Sequence, residues 1–172
     1  MKVLVLNGSP RPNGNTAGMI KVFKKNADLN GHEVTVVDVC KKHIQGCLAC
    51  EYCHSKGHGK CAQSDDMEEI YTLLKDTNML IIASPIYYHN ISGQLKCVID
   101  RFYSALYPTA PKSLKKVAMF LSSGDGDMYD GAKFSYEGDF LGYLGLDDVG
   151  IFTNHDSNVM EKITEMAKGL EL

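Results

Sequence analysis

Short apolar runs alternate along the chain with stretches in which apolar residues recur every three or four positions. The runs lie at residues 2–7, Val34–Val39, Met79–Ala83, Val117–Leu121 and Val149–Thr153, the second of them rich in β-branched residues, which predicts five strands. Between them, residues 15–30 predict a helix with Met19, Val22 and Phe23 facing inward and Asn30-Gly31 ending it. Asp65-Asp66 can cap a second helix, in which Met67, Ile70, Tyr71 and Leu74 share a face. The clearest helical pattern follows Ser84-Pro85. Leu95, Val98, Ile99, Phe102, Tyr103 and Leu106 form one stripe there, with Lys96, Asp100 and Arg101 on the polar side. Pro108 and Pro111 interrupt the chain before the fourth strand. A weaker helical segment spans Phe134 to Leu144, and Val159, Ile163, Met166 and Leu170 mark the inner stripe of a last helix.

Continuously apolar strands separated by helices predict a parallel sheet covered on both faces, and right-handed crossovers leave few topologies. Five strands suit a flavodoxin-like, doubly wound α/β order 2-1-3-4-5, with ligands beyond the carboxyl ends of the strands. The irregular, cysteine-rich stretch of residues 40–64 reads as an insertion after the second strand, within a single domain of residues 1–172. A net charge of −3 gives no basic excess for nucleic acid. No apolar run reaches the length of a membrane span, and the N-terminus enters a strand at once, so neither anchor nor leader is expected. A cytoplasmic location follows. In that reducing compartment six cysteines point to metal or redox chemistry more than to disulfides.

Loops after strands 1, 3 and 4 should line one crevice in this topology. The first, Gly8-Ser-Pro-Arg-Pro-Asn-Gly-Asn-Thr16, has the strand, polar loop, helix order that binds phosphate at a helix N-terminus. Gly14 is read as admitting a backbone shape that a side chain resists. The loop lacks the Walker lysine and the three-glycine dinucleotide spacing. An ordinary turn with Asn15 or Thr16 as N-cap is the alternative. The second loop, Ser84 to Gly93, carries Tyr87 and Tyr88, flat faces with polar tips suited to a ring system with heteroatoms, unless they merely cover the sheet end. The third is Ser122-Ser-Gly-Asp-Gly-Asp127, whose Asp125 and Asp127 read as turn formers.

Gly8-Ser9-Pro10-Arg11 with Gly14-Asn15-Thr16 resembles the FMN phosphate loop of the iron–sulfur flavoprotein and NAD(P)H-dependent FMN reductase families. Asp65-Asp66-Met67, Ser84-Pro85-Ile86-Tyr87-Tyr88, Gly93-Gln94-Leu95-Lys96 and Asp100-Arg101 resemble their further motifs, in order, up to about residue 126. The resemblance implies that Ser9, Arg11, Asn15 and Thr16 hold the FMN phosphate. Pro85, Ile86, Tyr87, Tyr88 and Asn90 would flank the isoalloxazine, and Ser123 and Gly124 would close its other side. It implies a flavin-dependent oxidoreductase with no catalytic acid, base or nucleophile among the side chains. Electrons would come from NAD(P)H or a ferredoxin and pass to small-molecule oxidants or quinones, in a homodimer or homotetramer.

Cys47, Cys50, Cys53 and Cys61 form C-x2-C-x2-C-x7-C, three close thiols and one distant, as iron–sulfur clusters are held. The pattern resembles the compact motif of the iron–sulfur flavoproteins and implies a [4Fe–4S] cluster beside FMN, with Gly57 and Gly59 letting Cys61 fold back. It lacks the proline that follows the fourth cysteine in bacterial ferredoxins. Zinc, or free or disulfide-forming thiols in a metal-free reductase, remain open on the residues themselves. So does a flavodoxin-like carrier or zinc-stabilised module without turnover. His54 and His58 read as solvated loop residues, and Cys40 and Cys97 as small buried apolar ones.

Overall fold

The structure is a computed structural model that describes residues 1–171; Leu172 lies outside the described residues. Strands β1 (Lys2–Asn7), β2 (Glu33–Asp38), β3 (Met79–Tyr87), β5 (Lys116–Ser122) and β6 (Asp147–Thr153) form a parallel sheet in the order β2-β1-β3-β5-β6. A two-residue strand β4 (Asn90–Ile91) pairs antiparallel with the end of β3. Leaving that hairpin aside, the order is the expected 2-1-3-4-5, a flavodoxin-like topology.

Alternation along each strand decides which face each helix covers. Val3, Val5, Ile81, Ala83, Ala118 and Phe120 point to the face covered by α1 (Asn15–Leu29) and α5 (Val159–Lys168), where Met19, Phe23 and Ile163 are fully buried. Leu4, Leu6, Leu80, Ile82, Met119 and Leu121 point to the other. That face is covered by α2 (Met67–Leu74), α3 (Gly93–Arg101) and α4 (Asp130–Ser135), the last continued by wide turns through Tyr143. Both faces are thus dry, as a parallel sheet requires.

Four sequence expectations shift. β3 does not stop at Ala83 but runs to Tyr87, pairing Ser84 and Pro85 with Leu121 and Ser122 before turning into β4. Proline is tolerated because it lies at the strand's end. The helix after it ends at Arg101, and Phe102–Ser104 tighten into a 3-10 turn. Arg101 does not sit on the polar side: it is 1% exposed. Cys40 and Cys97 are not buried apolar fillers; each is partly exposed, and the Cys40 thiol donates to the Gly8 carbonyl at 3.2 Å.

Candidate functional site

The carboxyl ends of β1, β3 and β5 converge on a cavity of about 200 Å³. Its lining is Ser9, Arg11, Gly14, Asn15 and Thr16 from the first loop, Pro85, Ile86 and Tyr87 from β3, and Ser122, Ser123 and Gly124 from β5. Beside it lies a more open cleft of about 450 Å³ between Ile86, Tyr87, Tyr88, His89, Ser123, Gly124, Asp125 and Met128. All the residues expected to hold phosphate or ring therefore line one of these two spaces, except Asn90. Its Oδ1 accepts from the Ile91 backbone N–H at 2.8 Å, and it lines neither space.

The first loop is built to present donors. Asn7 at the end of β1 accepts from the Ser9 N–H at 3.0 Å and donates to Asp38 at 2.9 Å, so the turn starts from a fixed point. Ser9 Oγ accepts the Arg11 N–H at 3.3 Å. Gly14 occupies the N-cap of α1, with no side chain capping the helix, so the first amides of this 15-residue helix are open to an anion. Neither Asn15 nor Thr16 is the cap. Gly14 does not need its freedom for an unusual dihedral, because its φ is −82°. What it supplies is room: a Cβ there would stand 3.2 Å from the Arg11 Cβ. Thr16 is buried, and its hydroxyl is joined to Ser122 Oγ at 2.7 Å, which ties the α1 N-terminus to the end of β5. The open amides, the Arg11 cation and the small-residue floor fit a phosphate; the cleft beside them fits a flat ring.

The cleft rests on a strained turn. Tyr88 and His89 take φ of 50° and 63°, the left-handed conformations of a two-residue hairpin loop, where Asn-Gly is the relaxed choice. Tyr88 is fully exposed. Opposite, the side chain of Asn154, just past β6, accepts from the Ser123 N–H at 2.8 Å and donates to the Ser123 carbonyl at 3.0 Å. Tyr129 donates to the same Asn154 oxygen at 2.9 Å. Ser122, Asn154, His89 and Met128 were not expected as site residues. The Ser-Ser repeat at 122–123 hinted at the first; an isolated Asn after a strand carries no signal.

A larger cavity, about 600 Å³, lies on the outer side of the first loop against β2, lined among others by Lys21, Lys24 and Lys41. Lys24 is already bound to Asp28 and the Val34 carbonyl, and Lys41 to Asp38. It lacks both the second and third loops, so the smaller cavity is the better candidate.

Cys47, Cys50, Cys53 and Cys61 line a fourth space, a small cavity of about 20 Å³ shared with Gln63, Arg101 and Tyr103. Cys53 is buried, and burial pushes its thiol above the ordinary range. Left-handed dihedrals at Ala49, Glu51 and His58 coil the segment tightly. Gly57 is required where it sits, since a Cβ there would meet the Lys60 carbonyl at 2.4 Å. Among the described residues, however, no three His, Cys, Asp or Glu side chains are gathered closely enough to hold a metal ion. The donor set thus has the chemistry for a thiolate-bound group, while the thiols are not drawn around a single ion. His54 is exposed, as expected, and is also anchored: its Nε2 donates to the Tyr103 carbonyl at 2.8 Å, and its ring stands edge-on to Tyr103 and Tyr107.

The family model described as NADPH-dependent FMN reductase matches residues 1–136, which include β1 to β5 and all three loops. The chain belongs to the NADPH-dependent FMN reductase family. This is one of the two families that the sequence motifs resemble. Within it, the chain is similar to an iron–sulfur flavoprotein of Archaeoglobus fulgidus, 40% identical over 101 residues, 59% of this chain and 45% of that protein. It is also similar to one of Methanocaldococcus jannaschii, 38% identical over 141 residues, covering 78% of this chain and 67% of the relative. The chain spans about half the length of the first of these relatives. An azoreductase structure from Bacillus anthracis superposes with a TM-score of 0.73 at 15% identity, covering 99% of this chain and all of the other, and so shares the fold. Among the described residues no helix is long and apolar enough to cross a membrane.

Proposed function

We propose that this FMN reductase family member binds FMN across the ends of β1, β3 and β5 and transfers electrons between it and a [4Fe–4S] cluster held by Cys47, Cys50, Cys53 and Cys61. The observation that carries the flavin half is the convergence of three separate loops on one cavity that begins at an uncapped helix N-terminus. Ser9, Arg11, Asn15 and Thr16 would bind the phosphate. Pro85, Ile86 and Tyr87 would support one face of the ring, Tyr88 and His89 would screen it from water, and Ser123 and Gly124 would bound its other edge. When bound, FMN exchanges electrons in pairs or singly and a cluster exchanges one at a time, so the chain's own groups bind, orient and tune. The cluster half is supported by four thiols lining a single cavity and by relatives named iron–sulfur flavoproteins. NAD(P)H or a ferredoxin is the proposed donor, and a small oxidant or quinone the acceptor, in a cytoplasmic homodimer or homotetramer.

One observation favours a second reading, a metal-free NAD(P)H-dependent FMN or quinone reductase: the thiols are not gathered around an ion among the described residues. Protein purified under nitrogen separates the two. Flavin bands with broad iron–sulfur absorption, and about four iron and four labile sulfide per chain, are expected. Flavin bands alone, with NAD(P)H oxidation intact, would replace the first reading by the second. Colourless protein that takes up no FMN overturns both.

A further inference from the structure

A guanidinium has five N–H donors in a fixed fork. Four of those on Arg101 are used. Nη1 donates to the Gln45 carbonyl at 3.0 Å and to Asp65 Oδ2 at 2.8 Å; Nη2 donates to Asp65 Oδ1 at 3.2 Å and, more weakly, to the Gln63 carbonyl at 3.5 Å. Gln45 lies just before Cys47 and Gln63 just after Cys61, so one side chain clasps both ends of the cysteine segment. The fifth donor, Nε, is buried and has no hydrogen-bond partner, alone among the buried side-chain polar atoms of the described residues. Arg101 itself lines the cavity of the four cysteines. A buried donor left unmade costs about 1–3 kcal/mol, so an orphan of this kind marks a missing acceptor.

We infer that Arg101 is a positioning residue for an anionic, thiolate-ligated cluster in this cavity, its Nε–H donating to a cluster or cysteine sulfur and its charge favouring the reduced state. The inference rests on the cluster reading above. Asp65 grips the Nη end of the guanidinium, and Nε is the donor left without a partner. The carboxylate offsets part of the cation's field, and it is held by the Met67 and Gln45 backbone N–H groups as well. Hydrogen bonds to sulfur and local positive charge both raise the reduction potential of such clusters. The residue thus acts on the cluster in two ways, by closing the segment and by setting how readily the cluster accepts an electron.

The test is a redox titration, followed by electron paramagnetic resonance, of anaerobically prepared wild type, Arg101→Met and Asp65→Asn, with iron and sulfide measured on each. Arg101→Met is expected to lower the reduced-to-oxidised ratio of the cluster at least tenfold at a fixed potential, about 59 mV for one electron. Asp65→Asn, which keeps Arg101, is expected to shift the ratio the other way. If Arg101→Met does not fold or load, the upward shift in Asp65→Asn still supports the inference. Loaded variants with the wild-type potential would overturn it and leave the cluster reading standing, with Arg101 a clasp only. Wild type without iron and sulfide overturns both.

Discussion

Gly8 shows how little space separates the first loop from α3. A Cβ there would stand 2.7 Å from Ser92 Oγ and 2.9 Å from Leu95 Cβ, both held by the cap and core of that helix. Gly8→Ala should therefore cost about 1–3 kcal/mol by overpacking and displace the loop. Urea denaturation measures the first effect and FMN affinity the second. Tyr88 and His89 carry the opposite burden. Non-glycine residues in the left-handed region cost of order 1 kcal/mol each, and such strain gathers at functional sites. Replacing the pair by Asn-Gly should raise the unfolding free energy by about 1–2 kcal/mol while weakening flavin binding. A variant equal to wild type in both measurements would remove the turn from the site. Of the candidate residues, those whose chemistry is local were legible in the sequence: Ser9, Arg11 and the glycine loop announce a donor-rich turn by their order alone. Asn154 and the burial of Arg101 were not, because each is defined by partners more than thirty residues away, Ser123 and Asp65. An arginine in an amphipathic helix reads as solvated until its carboxylate is located.

At the level of elements, the sheet was legible because both its faces are buried, and continuous apolar runs separated by helices admit few alternatives. The β3–β4 hairpin was not, since Ser84-Pro85 reads as a breaker and only the pairing of Ser84 and Pro85 with β5 extends the strand. The segment after α4 was weakly helical in sequence and proves to be a run of wide turns. It is pinned by Tyr136, whose hydroxyl lies 2.6 Å from an Asp148 carboxylate oxygen and 2.9 Å from the Val117 carbonyl, two acceptors sharing its one proton. Burial, helped by the Asp148 carboxylate, pushes the Tyr136 phenol well above its ordinary value of 10.0. A raised folded-state pKa stabilises below the unfolded value, and that stability is lost as the pH climbs above about 10 towards the folded pKa. Unfolding free energy should therefore fall on the alkaline side, and Tyr136→Phe should flatten that limb while costing about 1 kcal/mol at neutral pH. Denaturant titrations between neutral and strongly alkaline pH decide it. An alkaline limb unchanged in the variant assigns the loss to other groups.

For the whole molecule, the arrangement places the proposed flavin cavity and the cysteine cavity on loops that follow different strands, braced by α3 between them. Ser92 caps its start beside Gly8, and Arg101 at its end clasps the cysteine segment. Binding energy at the first loop should therefore appear as stability of the whole. FMN at a hundred times its Kd should add about 2.7 kcal/mol to unfolding, read as a concentration-dependent rise in Tm. The central claim is that a phosphate sits on the uncapped N-terminus of α1. It is tested most directly by comparing FMN with riboflavin, which shares the ring and lacks the phosphate, in fluorescence-quenching titrations of the flavin-free protein. Hydrogen bonds to a charged group contribute about 1.5–3 kcal/mol each, so two or more of them predict FMN binding at least about a hundredfold tighter. Equal affinities for the two flavins would contradict the account.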